Sequence, residues 1–442
     1  MAYNFRAYLN LLEKRKDLVR VEREVSSRFE IAALLKKHEK QNKSVLFENI
    51  KGAGMPLVGG LFHNMQRVAD ALNTTLLPEF VRLEDISFLE NAIANALPTK
   101  TVKEAPVNDS VKTGRDVCLY DLPVPTFFEH DSGPFITGGV GIARCPETGS
   151  VNAGIYTVQI TGRDEMRINL SPHSDLAAIC RHAEKSGQIL PVAIAIGVEP
   201  ALLVASSIKV PYAVSELDLA GAFNGEPLKV ICCETCDLPK PASAEIVIEG
   251  LLDPSNKSQL RLGEFSGYYA ESLVPIIKVN AVTCRHDAIF HSVLAGPSAE
   301  HRTLGFFGLA KIKAGIIRAL KDKFPEIKRI CFDVIGTGGH LFIAMVKNND
   351  ESPVKMIRDI FSATVESIPV KQVVQRVVVF DDDVDVYDPV DIEWAQWSRV
   401  EKADRFIILP QEQVKGQRDY RIGIDATKSL ASRKKFERVR IP

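Results

Sequence analysis

Between residues 116 and 300 the chain reads as a succession of short β-rich segments, and this restricts its fold more than any other feature. The segments lie at residues 151–160, 166–170, 192–196, 228–233, 244–249, 276–284 and 288–292. Turn residues separate them, and one helical stretch interrupts at 175–186. Many short strands at close spacing close into a barrel or sandwich and do not make a doubly wound sheet. The flanks have a different texture. Residues 5–41 carry Phe5, Leu9, Leu12, Ile31 and Leu35 at helical spacing, followed by strands at 44–50 and 55–60 and more helix between 64 and 97. This predicts a small α/β unit over residues 1–115. A helix follows the β-rich stretch at 304–324 and connects to a C-terminal α/β unit over 326–442. The apolar run at 377–380 reads as a strand buried on both faces, and Asp388-Pro389 as the cap of a helix.

At 442 residues the chain exceeds one ordinary core. Its formal net charge of −1 creates no field that would gather nucleic acid or an anionic membrane. The longest apolar stretch, residues 190–204, is broken by Pro191, Glu199 and Pro200 and is too short to span a bilayer. The first residues carry no apolar signal core, so a cytoplasmic protein is expected. Eight cysteines are scattered. Cys232, Cys233 and Cys236 cluster, but no second CxxC or His pair completes a zinc site, and buried thiols are expected there.

Two constellations carry chemistry. In Leu262-Gly263-Glu264-Phe265-Ser266-Gly267-Tyr268-Tyr269 an acid stands between a glycine and an aromatic residue, with a second glycine beyond, which suits a proton donor beside a flat partner. The residues Asn152, His173 and Glu216 form a mixed hard-ligand set suited to Mg²⁺ or Mn²⁺, although nothing local brings them together. There is no P-loop and no Gly-x-Gly-x-x-Gly after a strand, so no nicotinamide reductase is indicated.

In order along the chain come Asp121-Leu-Pro-Val-Pro125, Gly133-Pro-Phe-Ile-Thr137, Asn152-Ala-Gly-Ile-Tyr156, His173, Ser206-Ser207, Val210-Pro211-Tyr212, Ser215-Glu216, Ala244-Glu-Ile-Val-Ile-Glu-Gly250, Gly263-Glu264-Phe265, residues 377–383 and Asp425-Ala-Thr427. With these motifs the chain resembles the UbiD family of decarboxylases, which use prenylated FMN. The resemblance covers nearly its whole length. It implies an α+β / α/β fold with an N-terminal α/β part, a central split β-barrel of the flavin-reductase-like kind over 116–300, a connecting helix over 301–325 and a C-terminal α/β oligomerisation domain. It implies that Asn152, His173 and Glu216 bind Mn²⁺ or Mg²⁺, which holds the flavin phosphate. A K⁺ ion is implied at the carbonyls of Ala205, Ser206 and Ile208. Ile155, Tyr156, Thr157, Pro172, Ser206 and Ser207 are implied to surround the cofactor, with Arg376 the candidate base near its phosphate. A flavin prenyltransferase is the implied source of cofactor, and a homodimer or homohexamer the implied assembly.

The chain departs from the family pattern in two places. Thr157 stands where an Arg is usual, and Gln259 where the first Glu of a Glu–Arg–Glu set is usual. Only Glu264 remains as proton donor. Losing both charges together leaves Thr157 and Gln259 as a neutral pair expected to hydrogen-bond, because losing one alone would strand a buried charge. Another cation should then orient the substrate carboxylate: His291, His301 and Arg302 are the candidates, with Arg261 besides. A His/Arg pair would suit a second carboxylate, such as that of furan-2,5-dicarboxylate. Phenolic acids are the other substrate class. The alternative is a catalytically incomplete relative, or one subunit of a multi-subunit aromatic carboxylase.

Overall fold

The computed structural model describes residues 3–211, 214–335, 338–346, 353–366, 374–410, 420–428 and 436–438. Tyr212 and most of the basic tail lie outside the described residues. The chain divides into two compact units, Met1–Leu77 with Ser87–Leu309, and Pro78–Ile86 with Ala310–Pro442. The boundary falls inside the helix Ala299–Lys323.

The first unit is built on a nine-stranded sheet. Its path runs Phe135–Ile136, Thr157–Ile160, Glu165–Asn169, Tyr269–Cys284, Ile246–Gly263, Leu190–Ile196, Gly139–Arg144 and Val151–Ile155, with Ser110–Thr113 added beside Tyr269–Cys284. Every pairing is antiparallel. Strands at opposite ends of this path follow one another in sequence. Phe135–Ile136 leads into Gly139–Arg144, and Val151–Ile155 leads into Thr157–Ile160 through Tyr156 alone. The sheet therefore curls back on itself, as the close strand spacing predicts. The β-rich segment expected at 151–160 is thus two strands that meet at a corner.

That corner is made by side-chain size. Tyr156 is buried, and its ring lies where Gly141 and Gly154 leave room. A Cβ on Gly141 would stand 2.7 Å from ring Cδ2, and one on Gly154 would stand 2.7 Å from the hydroxyl. Along the strands, alternate residues fill the interior. Met166 and Ile168 enter the core with Val158, Ile194, Ile248, Leu260 and Leu262, while Arg167 and Asn169 face the other way.

Residues 244–263 behave differently from the short strand expected at 244–249. Ile246–Gly263 runs for 18 residues against the 16 of Tyr269–Cys284. Register slips at Glu249/Gly250 and Asp253/Lys257 let this long hairpin bend. A second, four-stranded sheet joins Leu18–Val21, Ser44–Phe47, Leu57–Gly59 and Phe290–Ser292. Its last strand comes from beyond the barrel, so the N-terminal segment and the barrel fold together as one unit.

The second unit carries a five-stranded sheet in the order Ile327–Ile335, Gly338–Met345, Val374–Asp381, Tyr420–Ala426, Phe406–Pro410. Val374–Asp381 is central, parallel to both neighbours and buried along almost all its length, as its continuous apolar run requires. Asp388 Oδ1 accepts from Val390 N and caps the helix Pro389–Arg399. No helix among the described residues is long and apolar enough to cross a membrane.

Two glycine substitutions should move stability in opposite directions. A Cβ on Gly250 would lie 2.6 Å from the Lys278 carbonyl oxygen, at the first register slip. Gly250→Ala is expected to destabilise by about 1–3 kcal/mol. Gly315 is exposed in the helix Ala299–Lys323, with nothing within 4 Å of its Cβ position. Gly315→Ala is expected to stabilise by about 0.5–1 kcal/mol, since alanine costs less backbone entropy in a helix. Thermal melts of the two variants check both signs.

Candidate active site

The hairpin Ile246–Gly263/Tyr269–Cys284 ends in the turn that carries Glu264. The turn is closed by Glu264 N donating to Tyr268 O at 2.9 Å and by Gly267 N donating to Glu264 O at 2.9 Å. Gly267 sits at φ +86°, a conformation that favours glycine. Gly263 is required for another reason: a Cβ there would meet Phe128 Cδ2 at 2.4 Å. The same ring fills the space over Gly296, where a Cβ would come within 2.6 Å of its Cζ. Phe128 thus wedges the Glu264 turn against the loop at Gly296. Asp131 completes the fastening: it accepts from Gly263 N and Phe128 N, each at 2.9 Å. Burial pushes the Asp131 carboxyl above its usual range.

Beside this turn lies a cavity of about 280 Å³. Glu264, His301, Thr157, Thr137, Ser206 and Ser207 supply its polar wall, and Ile155, Leu262, Val293, Ala295 and Leu304 its apolar wall. Asn169 Nδ2 donates to Glu264 Oε1 at 3.3 Å. Across the ladder, Asn169 is the register partner of Thr157. His301, in the first turn of the helix Ala299–Lys323, places its Nδ1 3.2 Å from Gly296 O. Burial holds its pKa below the ordinary histidine value, against the opposing pull of Gly296 O and Glu264. Burial thus favours the neutral ring, and with Gly296 O as acceptor the proton sits on Nδ1.

Behind the cavity, Asn152 and Glu216 come together although 64 residues separate them. Asn152 Nδ2 donates to Glu216 Oε1 at 3.1 Å, and Ala153 N donates to Oε2 at 2.8 Å. Tyr156 OH donates to Asn152 Oδ1 at 3.1 Å. Burial pushes the Glu216 carboxyl up to about 7. No Lys or Arg pairs with it among the described residues. Asn152, Glu216 and Asp175 line a small void of about 20 Å³, room for one ion or one water. His173 is exposed just ahead of the helix Asp175–Lys185, and its carbonyl accepts from Lys209 Nζ. Pro172, next to it, is exposed as well. On the cavity wall Ser206 Oγ is buried without a hydrogen-bond partner. The carbonyls of Ser206 and Ala205 accept from Ile155 N and Ile208 N.

Several expected site residues lie elsewhere. Gln259 does not meet Thr157. It is exposed and donates to Glu271 Oε2 at 3.3 Å, because strand alternation sends Leu260 and Leu262 inward and Gln259 and Arg261 outward. Arg261 pairs with Glu271 at 3.3 Å and covers the Tyr269 ring. His291 is buried away from the cavity. Its ring lies 5.8 Å from that of Phe5 and 6.4 Å from that of Phe62, and its Nε2 stands 4.0 Å from Glu300 Oε1. Arg302 is exposed and does not line the cavity. Arg376 belongs to the second unit, where it bonds Gln396 and lies over the Phe342 ring. Of the candidates for the substrate carboxylate, His291, His301, Arg302 and Arg261, only His301 lines the cavity. Asn169, Phe128, Asp131 and Gly296 escaped notice in the sequence, because each acts through a partner far away in the chain.

Asn169→Ala removes the side chain that holds Glu264 and should lower kcat/KM by about tenfold, the worth of one hydrogen bond to a charged group. Steady-state kinetics with an unchanged melting temperature check this.

The chain matches the profiles of the three parts of the 3-octaprenyl-4-hydroxybenzoate carboxy-lyase, or UbiD, family. These are the N-terminal domain over residues 9–84, the Rift-related domain over 100–298 and the C-terminal domain over 306–421. It is 31% identical to the anhydromevalonate phosphate decarboxylase of Methanothermobacter thermautotrophicus, over 97% of this chain and 99% of that one. It is also similar to the UbiD-class enzyme HmfF of Pelotomaculum thermopropionicum solved with FMN, at 32% identity and a TM-score of 0.85, covering all of this chain and 98% of that one. An evolved dimeric form of HmfF with prFMN gives a TM-score of 0.82 at the same identity, covering all of this chain and 97% of that one.

Proposed function

Because the chain belongs to the UbiD family of carboxy-lyases, we propose that it catalyses the reversible, non-oxidative decarboxylation of a conjugated carboxylic acid with prenylated FMN, and that Glu264 moves the proton. The observation that carries this reading is a cavity holding one fastened carboxyl group, Glu264, with His301 and a wall that is hydroxylic on one part and apolar on the other.

The surrounding residues fit the cofactor. Ser206 Oγ, buried and unpartnered on the wall, is the kind of group a bound polar ligand satisfies. Glu216 is a buried carboxylate short of positive charge, beside a void sized for one ion. Asn152, His173 and Glu216 would hold Mn²⁺ or Mg²⁺, with Asn152 turning its Oδ1 to the ion, and the carbonyls of Ala205, Ser206 and Ile208 would hold K⁺. Ile155, Tyr156, Thr157, Pro172 and Ser207 would flank the flavin. When bound, prenylated FMN supplies the electron sink for the pair left behind by departing CO₂.

The chain's own residues then handle position and proton. Asn169 and the closed turn hold Glu264 in one place, so its proton is delivered to the carbon that has lost CO₂ and is taken back in the carboxylation direction. His301, fixed through Nδ1, offers Nε2 to the substrate. Thr157 adds a neutral hydroxyl where the family pattern has a cation. The apolar wall excludes water from the reacting carbon. Among the described residues no Arg or Lys lines the cavity, and neither His291 nor Arg302 is part of its wall, so a second carboxylate such as that of furan-2,5-dicarboxylate has lost the pair that argued for it. A monocarboxylate is the better fit, whether aromatic, heteroaromatic or unsaturated aliphatic.

Protein co-expressed with a flavin prenyltransferase is expected to carry bound flavin and to release CO₂ from a member of a panel of these acids. Glu264→Gln should lower turnover by about a hundredfold or more while the bound-flavin spectrum persists. Undiminished turnover in that variant would remove Glu264 from the reaction.

A further inference from the structure

A second chemical cluster lies outside the cavity, in the loop between the strands Lys229–Cys232 and Pro239–Pro241. Sγ of Cys233, Sγ of Cys236 and a carboxylate oxygen of Glu249 all lie within 4.8 Å of one another. Cys233 is buried and Cys236 is half-buried. The carboxylate beneath them is fully engaged. Glu249 accepts from Glu234 N at 2.9 Å, from Thr235 N at 2.8 Å, from Thr235 Oγ1 at 2.9 Å and from Lys240 Nζ at 3.0 Å. Lys240 is itself fully buried and reaches Thr283 Oγ1 at 3.2 Å and Glu234 Oε1 at 3.4 Å.

This arrangement argues against a metal. A cation at the three groups would have to displace an ammonium and three other donors from Glu249, and two thiols alone are too few for a structural zinc site. It argues instead for thiol chemistry. The two residues between the cysteines, Glu234 and Thr235, give their N–H groups to one buried carboxylate, which holds the Cys-x-x-Cys turn with its sulfurs together. We propose that Cys233 and Cys236 form a redox-active dithiol that closes to a disulfide by exchange with a small-molecule or protein disulfide, such as oxidised glutathione.

The accessible sulfur is that of Cys236. The Cys233 thiol donates towards it and, with Lys240 nearby, holds Cys236 below the ordinary thiol value, whereas that same hydrogen bond and burial hold Cys233 above it. Cys236 as thiolate attacks the incoming disulfide, forms a mixed disulfide and expels one thiolate. Cys233 then loses its proton, attacks the Cys236 sulfur and expels the second. Two protein thiols are oxidised and one disulfide is reduced to two thiols. Cys232 is exposed, but burial and the nearby acids raise its pKa, and its Sγ only contacts Cys236 O at 3.7 Å. It takes no part.

The test equilibrates the full-length protein in glutathione buffers of increasing oxidised fraction, followed by acid quench, alkylation and peptide mass mapping. The expected result is a loss of two hydrogens from the peptide holding Cys233 and Cys236, with Cys232 alkylated and two fewer free thiols than the eight of the reduced chain. Cys233→Ser should stop at a glutathione adduct on Cys236, and Cys236→Ser should leave Cys233 unmodified. Alkylation of all three cysteines in the most oxidising buffer, a disulfide that includes Cys232, or a stoichiometric metal ion retained by the two thiols would each overturn the proposal.

Discussion

Everything in the first unit depends on how ten residues, 151–160, pass from one end of a curled sheet to the other at Tyr156. The ring at the corner is buried, and its space exists only because Gly141 and Gly154 have no side chains. Its hydroxyl serves both neighbours: it donates to Asn152 Oδ1 and lies 3.4 Å from Leu176 N, at the start of the helix Asp175–Lys185. The strand before the corner delivers Asn152 to Glu216, and the strand after it delivers Thr157 to the cavity. The corner that curls the sheet is also the one that places these site residues.

The buried carboxylates show how the fold separates support from chemistry. Glu300 accepts from the N–H groups of Gly60, Leu61 and Phe62, and although burial pushes its carboxyl up, His291 and those bonds outweigh it and hold it below the usual range. Glu249 is in the same position, with Lys240 fully buried against it. Both are saturated and tie distant segments together. Glu216 has an amide, the Ala153 N–H and its own backbone N–H but no cation among the described residues, and burial wins. A saturated carboxylate fastens a fold; an undersupplied one leaves room for a ligand's charge.

The altered wall of the cavity follows the same logic. Thr157 and Gln259 looked like a matched neutral pair, but the alternation of Ile246–Gly263 turns Gln259 outward to Glu271. The register neighbour of Thr157 is Asn169, which also holds Glu264.

Much of this was legible in the sequence. Short β-rich segments at close spacing and the turn residues between them marked the barrel, the apolar run marked the buried strand Val374–Asp381, and the order of short motifs marked the family and pointed to Glu264, Asn152, His173 and Glu216. Those signals are local, or are carried by residue type in a fixed order. Tertiary structure alone decided which side chains share a space. It buried His291 between Phe5 and Phe62, sent Gln259 and Arg302 to the surface, brought His301 to the cavity, and set Phe128 between two glycines 33 residues apart. The reason is physical: a one-residue change of register or face leaves composition and spacing nearly unchanged, but moves a side chain from the cavity to the solvent.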